Sequence, residues 1–345
     1  MNRHFIKNIE IKNFKCFKDF KAEGFGRVNL IGGKNNVGKT AFMEVCLLSQ
    51  SDSISDLYKK ILEIKTHRNI VNNLLEKNDR QQELQKLINK NIDFSINRIE
   101  SISQDLGDGH YMDIDIGCTH ISKDEENGNI LIFLRYDEID MPREYTYSRL
   151  INILDLALES TKKQFSLNFI SPYSNSNEEL EDIIGQSKLD DKYDELNKYL
   201  SDVFNVKSID IIKNKPMLQV NNEYKELSYF GQGIKTFINI ISSILLLKDD
   251  VIFIDEIENG IHYTNLDKLW EIILTISKQQ NVQVFATTHS KECIESYARV
   301  AKRLEDEEIG FIELGRNKKN ELDSVVMDSE MFQRFIKLGN EVRGW

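Results

Sequence analysis

Proline is nearly absent, three in 345 residues, and the 17 glycines gather nowhere into a linker, so composition marks no disordered joint. Long apolar runs are missing too. The longest, residues 237–247 (FINIISSILLL), is too short to span a bilayer and reads as a buried helix. The opening MNRHFIKNIEIKNF alternates in polarity and lacks the apolar block of a secretory leader. Four cysteines, Cys16, Cys46, Cys118 and Cys293, are scattered without a C-x-x-C pair. That spacing signals neither zinc nor a disulfide framework, and a reduced, cytoplasmic setting is expected. An excess of positive charge is lacking as well. The formal net charge of −11 argues against a chain that coats nucleic acid, although a local basic groove is compatible with it. What remains, 40% hydrophobic and 29% charged residues, is an ordinary soluble composition. The length suffices for one large domain or one domain with a sizeable insertion.

Against these absences, residues 28–40 (VNLIGGKNNVGKT) stand out. A short apolar run ends in paired glycines, and residues 33–40 spell G-x-x-x-x-G-K-T. The next eleven residues carry apolar side chains at helical spacing. Strand, glycine-rich turn and helix are what a phosphate-binding loop requires. The backbone of Gly33, Asn35, Asn36 and Gly38, with the helix start at Lys39, Thr40 and Ala41, turns its N–H groups toward phosphate oxygens. Lys39 reaches the β- and γ-phosphates, and the Thr40 hydroxyl is a ligand for Mg²⁺. A nucleoside triphosphate is the expected ligand. No Asn-Lys-x-Asp base-reading motif is present, which favours ATP.

Around this loop the chain reads as strands and helices in alternation. Residues 5–20 alternate apolar and polar and predict one or two strands. Residues 51–90 predict amphipathic helices, and residues 91–136 an antiparallel sheet inserted behind the phosphate loop. Residues 147–161 predict a helix and 165–170 a buried strand. Residues 177–204 predict helix broken near Gly185, followed by short strands at 206–212 and 217–220. The last third predicts helix 234–247, strand 251–254, helix 265–278, strand 282–287, helix 291–304, a hairpin from 309 to 327 and a final helix 331–341. Such alternation is the signature of an α/β fold with a mostly parallel sheet flanked by helices. The division expected is a head formed by residues 1–50 and 205–345, with a helical and antiparallel β lobe, 51–204, inserted between them.

Three further stretches carry chemistry. Residues 251–256 (VIFIDE) are four apolar residues ending in two acids, a buried parallel strand whose C-terminal end faces the ligand. Asp255 is placed to hold Mg²⁺, and Glu256 to orient or deprotonate the attacking water. Residues 282–290 (VQVFATTHS) form another buried strand, delivering His289 beside the γ-phosphate. Residues 227–237 (LSYFGQGIKTF) put Ser228, Gly231 and Gly233 before a helix, where exposed N–H groups suit an anion. The only Asp-x-Asp, at Asp113 and Asp115, alternates with apolar neighbours and reads as a strand with one solvated face.

Taken together, the phosphate loop, Ser-x-x-Gly-x-Gly before a helix, Asp-Glu-Ile-Glu-Asn-Gly-Ile-His and Thr-Thr-His-Ser resemble the ABC-type AAA ATPases of the structural-maintenance-of-chromosomes (SMC) and RecF group. Within that group the likeness is to the ATPase half of the overcoming-lysogenization-defect (OLD) family and its antiphage-defence relatives. The opening IEIKNFKCFKDF is similar to that family's first hairpin. The resemblance covers roughly residues 1–50 and 215–300. It implies heads that pair around two ATP molecules, each signature turn capping the γ-phosphate held by the other head. By that resemblance Ser228, Gly231 and Gly233 take the signature role, residues 258–262 form the dimer-facing loop, and His289 is the switch histidine. Gln104 is a candidate for the glutamine that senses Mg²⁺. The turn departs from Leu-Ser-Gly-Gly-Gln, which leaves its register open.

OLD proteins carry a TOPRIM nuclease domain after the ATPase, and neither its metal-binding acids nor a G-x-S-x-G elbow is found here. The expectation is therefore an ATPase with no nuclease activity of its own. It would act as a molecular switch, a homodimer or higher homo-oligomer that regulates a separately encoded effector such as a TOPRIM-type nuclease. A RecF-like ATPase that binds DNA directly is the alternative, and a transporter ATPase subunit a third. A basic stripe across paired heads would favour DNA, an acidic or apolar docking face a protein. No membrane partner is expected.

Overall fold

The computed structural model describes residues 5–50, 60, 93–95, 102–105, 111–114, 118–123, 130–136, 139–145, 168–172 and 177–339. Along the chain, β1 (Asn8–Phe14) and β2 (Phe17–Glu23) form a hairpin that precedes β3 (Val28–Gly33) and α1 (Lys39–Ser49). Six strands follow: β4 (Asp93–Ser95), β5 (Ile102–Asp105), β6 (Tyr111–Ile114), β7 (Cys118–Lys123), β8 (Ile130–Tyr136) and β9 (Ile139–Tyr145). Then come β10 (Phe169–Ile170), α2 (Asn177–Leu189), α3 (Tyr193–Phe204), β11 (Ser208–Ile211), β12 (Pro216–Val220) and β13 (Glu223–Glu226). The remainder runs α4 (Gln232–Leu246), β14 (Val251–Ile254), α5 (Leu266–Gln280), β15 (Gln283–Thr287) and α6 (Lys291–Arg303). It ends with β16 (Ile309–Arg316), β17 (Leu322–Met327) and α7 (Ser329–Lys337).

A six-stranded sheet in the order β10-β14-β15-β3-β16-β17 organises the whole. Its strands pair in parallel from β10 to β16, and β17 closes one edge antiparallel. Strands covered on both faces are apolar throughout, and here their side chains divide between two cores with the strand period of two. Val28, Leu30, Ile252, Ile254, Val284 and Ala286 face a core shared with residues of α2 to α7. Ile31, Val251, Phe253 and Phe285 face the other, with Phe42 of α1 and with Ile9, Ile11, Phe17 and Phe20 of the first hairpin. Phe42 is the hub of that second core, its ring 5.9 Å from Phe20 and 6.0 Å from Phe25. The fold is that of an α/β P-loop NTPase.

Several boundaries differ from the sequence reading, each for a physical reason. The break between α2 and α3 falls at residues 190–192 and not at Gly185, which lies inside α2. A helix tolerates one glycine at a cost of about 1 kcal/mol, whereas Asp191 adopts a left-handed φ of 56° and turns the chain. Strand β13, EYKE, has too little apolar character to announce itself; it pairs with β12 across Asn221 and Asn222, both at positive φ. Phe169 and Ile170 pair in parallel with Phe253 and Ile254, and Leu180, Ile184, Leu196 and Leu200 are buried in the main core. Packing thus joins residues 168–172 and 177–204 to the central sheet, although the sequence division assigned them to the inserted lobe.

The inserted strands pair antiparallel as expected, in a β5-β6 pair and a β7-β8-β9 sheet, while β4 extends the first hairpin beside β1. The helices expected over 51–90 and 147–161 lie, residue 60 apart, outside the described residues. Helix α4 is buried nearly all round, as residues 237–247 implied, and no described helix is long and apolar enough to cross a membrane. Phe332 of α7 is fully buried and stacked on Phe311, whereas Leu338, the residue that ends that helix, is 77% exposed.

Candidate active site

The strand order puts β15 between β14 and β3, so the ends of three parallel strands deliver the acid pair, His289 and the phosphate loop side by side. This carboxyl edge is where open α/β sheets bind ligands. The phosphate loop needs glycine at two points. Gly33 has φ 141° and a side chain there would meet the Leu314 carbonyl at 2.5 Å; Gly38 has φ 112° and would press on Cys16 Sγ at 2.8 Å. Asn36 also lies at positive φ, 59°. Helix α1 opens at Gly38 without a side-chain cap, which leaves its first N–H groups directed at an incoming anion. Ala41 lies in the first turn of α1 and is buried, and Asn35 is exposed on the loop.

Lys39 is the most constrained cation of the site. Its ammonium donates to the carbonyls of Gly33 (2.7 Å) and Lys34 (3.0 Å) and contacts His289 Nδ1 at 3.2 Å. Because an ammonium has no acceptor, Nδ1 must be the acceptor in that contact, which places the imidazole proton on Nε2. Nε2 faces Glu256 Oε1 at 3.6 Å. Burial pulls the Lys39 ammonium down to about 8, while Asp255, Glu258 and Glu256 act in the opposite direction.

The acids are held by a hydroxyl chain. Thr40 Oγ1 donates to Asp255 Oδ2 (3.0 Å), and Thr287 Oγ1 donates to Asp255 Oδ1 (2.5 Å). The Thr287 oxygen in turn accepts the Glu256 N–H at 2.8 Å. Glu256 has φ 52°, a left-handed conformation uncommon for a non-glycine residue. Burial and the neighbouring Asp255 raise its carboxyl above the ordinary glutamate range, partly offset by His289. Thr40 and Asp255 offer hard oxygen donors already within hydrogen-bonding distance, a set that fits Mg²⁺ shared with phosphate oxygens. When bound, Mg²⁺ would neutralise charge on the β- and γ-phosphates.

Thr287 escaped the sequence reading, although it directly precedes Thr-His-Ser at a strand end where a hydroxyl can face the acids. Among the remaining sites, Ser228 Oγ donates to Glu226 Oε1 at 2.9 Å on the surface. Gly231 caps α4 in open space, with no heavy atom within 4 Å of where a side chain would begin. Gly233 instead packs against the loop after the acids: a side chain there would meet the Gly260 carbonyl at 2.1 Å. Gln104 and Asp113 lie on paired strands β5 and β6, opposite Met112 and Ser103, and Asp115 lies outside the described residues. Among the described residues no cluster of three His, Cys, Asp or Glu side chains is arranged to hold a metal.

Residues 144–294, which hold the signature-like turn, both acids and His289, match the AAA ATPase domain family. An ATP/GTP phosphatase of Helicobacter pylori is 27% identical over 327 residues, covering 86% of this chain and 88% of that protein. An uncharacterized protein of Methanocaldococcus jannaschii is 30% identical over 114 residues, 33% of this chain and 99% of that one. Among solved structures, an SMC head bound to the C-winged helix domain of ScpA superposes with a TM-score of 0.51 at 14% identity, covering 94% of this chain and 98% of that chain. The fold is therefore similar to that of an SMC head.

Proposed function

We propose that this ATPase is a molecular switch: two heads close around ATP, hydrolysis reopens them, and the change of shape governs a separate effector protein. The observation that carries the reading is the chain of contacts from Lys39 through His289 to Glu256, backed by Thr40, Asp255 and Thr287. In it each residue has one task. Lys39 and the N–H groups of the loop bind the phosphates, and Thr40 with Asp255 would hold Mg²⁺. Glu256, its N–H held by the Thr287 hydroxyl, takes the proton of the attacking water, and His289 donates from Nε2 on the γ-phosphate side. The turn formed by Ser228, Gly231 and Gly233 serves the partner head.

A hydrolysis set alone does nothing to a further substrate, so its output is conformational. The SMC head of similar fold is bound to a protein domain, which supports a protein effector, in keeping with the net charge of −11. A role in antiphage defence, with a TOPRIM-type nuclease as effector, follows from the OLD-like motifs. Light scattering after size exclusion tests the pairing. Glu256→Gln with ATP and Mg²⁺ should elute as a closed pair and the same protein without nucleotide as open heads; pairing indifferent to nucleotide contradicts the switch.

A further inference from the structure

Glu258 stands two residues beyond the acid pair and is not part of the hydrolysis set described above. Its Oε1 accepts two backbone hydrogen bonds, from the N–H of His289 (2.8 Å) and from that of Ser290 (3.1 Å). Its Oε2 is buried without a hydrogen-bond partner among the described residues. The segment it grips, residues 288–290, lies between the end of β15 and the start of α6 and belongs to neither. Beyond Glu258, that segment is held by the Thr288 N–H on the Ile31 carbonyl (3.1 Å), by the Thr288 hydroxyl accepting from Ser290 (3.1 Å), and by Ser290 Oγ capping α6 at Cys293 (3.1 Å). None of these reaches the His289 backbone itself. The loop that carries Glu258 is in turn fixed at both ends. The Asn259 N–H donates to the Glu256 carbonyl at 2.8 Å, and Gly260 abuts Gly233 at the start of α4.

We propose that Glu258 is a positioning residue for hydrolysis: its carboxylate clamps the His289 and Ser290 backbone so that the imidazole stands between Lys39 and Glu256. Two adjacent N–H groups converging on one oxygen hold the strand-to-helix connection at a set distance from the loop, a distance that the length of the glutamate side chain spans. A displacement of about 1 Å in a group that contacts the reacting phosphate lowers turnover by about 10²-fold. Because Glu258 sits on the same loop as Gly260, movement of the α4 turn would be transmitted to His289 through one short segment. The inference rests on the assignment of Glu256 and His289 to hydrolysis.

The test compares steady-state hydrolysis and ATP affinity across four variants of the full chain. Glu258→Asp keeps the charge but is one methylene too short to span the gap, and should lose turnover by about 10-fold to 100-fold with KM within about twofold. Glu258→Gln keeps an oxygen at full reach and should return to within about threefold of the wild type. His289→Ala should lose turnover, and Glu258→Asp/His289→Ala should be no slower than His289→Ala alone, because both act through one group. Wild-type turnover in Glu258→Asp beside an impaired His289→Ala would overturn the clamp and leave the site reading intact. Equal losses in Glu258→Gln and Glu258→Asp would overturn it in favour of a loop that needs glutamate for folding or charge. Full turnover in His289→Ala would overturn both.

Discussion

Lys39 lies among carbonyl oxygens of its own loop, and burial lowers its ammonium from 10.5 to about 8. Phosphate oxygens favour the charged form, so ATP must raise that value again. Between the two values, binding takes up a proton. Calorimetry at pH 8.5 in buffers of different ionisation enthalpy should show this uptake, and Lys39→Arg, charged at any such pH, should abolish it. Glu256 works in the opposite sense. Its carboxyl is raised by burial and by Asp255, and only the deprotonated form accepts a proton from water. The acid limb of kcat/KM should therefore have its midpoint above the ordinary glutamate value of about 4.3, and removing the Asp255 charge with Asp255→Asn should move that midpoint down in whatever activity remains. These residues were legible in the sequence because strand ends and glycine turns announce them. The left-handed backbone of Glu256 and the Thr287 hydroxyl were not, since both depend on how β14 and β15 meet.

At the scale of elements, the turn before α4 contains two glycines with different tasks. Gly231 is open on all sides, whereas Gly233 is seated against the Gly260 carbonyl. Gly233→Ala forces backbone apart and should lower stability by about 1–3 kcal/mol, read as a drop in Tm. Gly231→Asp should leave Tm near that of the wild type while abolishing ATP-dependent pairing, because in the proposed pair an acid there would face the partner's phosphate. Pairing that survives Gly231→Asp would give the turn another role. The central strands were readable because burial on both faces leaves an unbroken apolar run. The short sheet of β11, β12 and β13 was harder to read. Its register comes from the Asn221-Asn222 turn, a signal present in the residues, while the polarity of EYKE concealed the third strand. Hydrophobic spacing could not tell that the helices of 177–204 pack on the head, since the same stripe would serve an inserted lobe.

For the whole molecule, the sheet gathers the residues proposed for hydrolysis at one edge, and among the described residues no cluster of three His, Cys, Asp or Glu side chains is arranged to hold a metal. The purified protein with ATP and either Mg²⁺ or Mn²⁺ should leave plasmid DNA, linear DNA and RNA uncut. Cleavage that persists in Lys39→Ala and disappears in Asp113→Ala/Asp115→Ala would reverse this expectation. The proposed function rests on a separation of binding from chemistry between β3 and β14. Its most direct measurement is ATP affinity beside steady-state hydrolysis in the wild type, Lys39→Ala and Glu256→Gln. Lys39→Ala should lose nucleotide affinity; Glu256→Gln should hold ATP as the wild type does and turn it over about 10²-fold or more slowly. Hydrolysis at the wild-type rate by Glu256→Gln, or unchanged ATP affinity in Lys39→Ala, would contradict it.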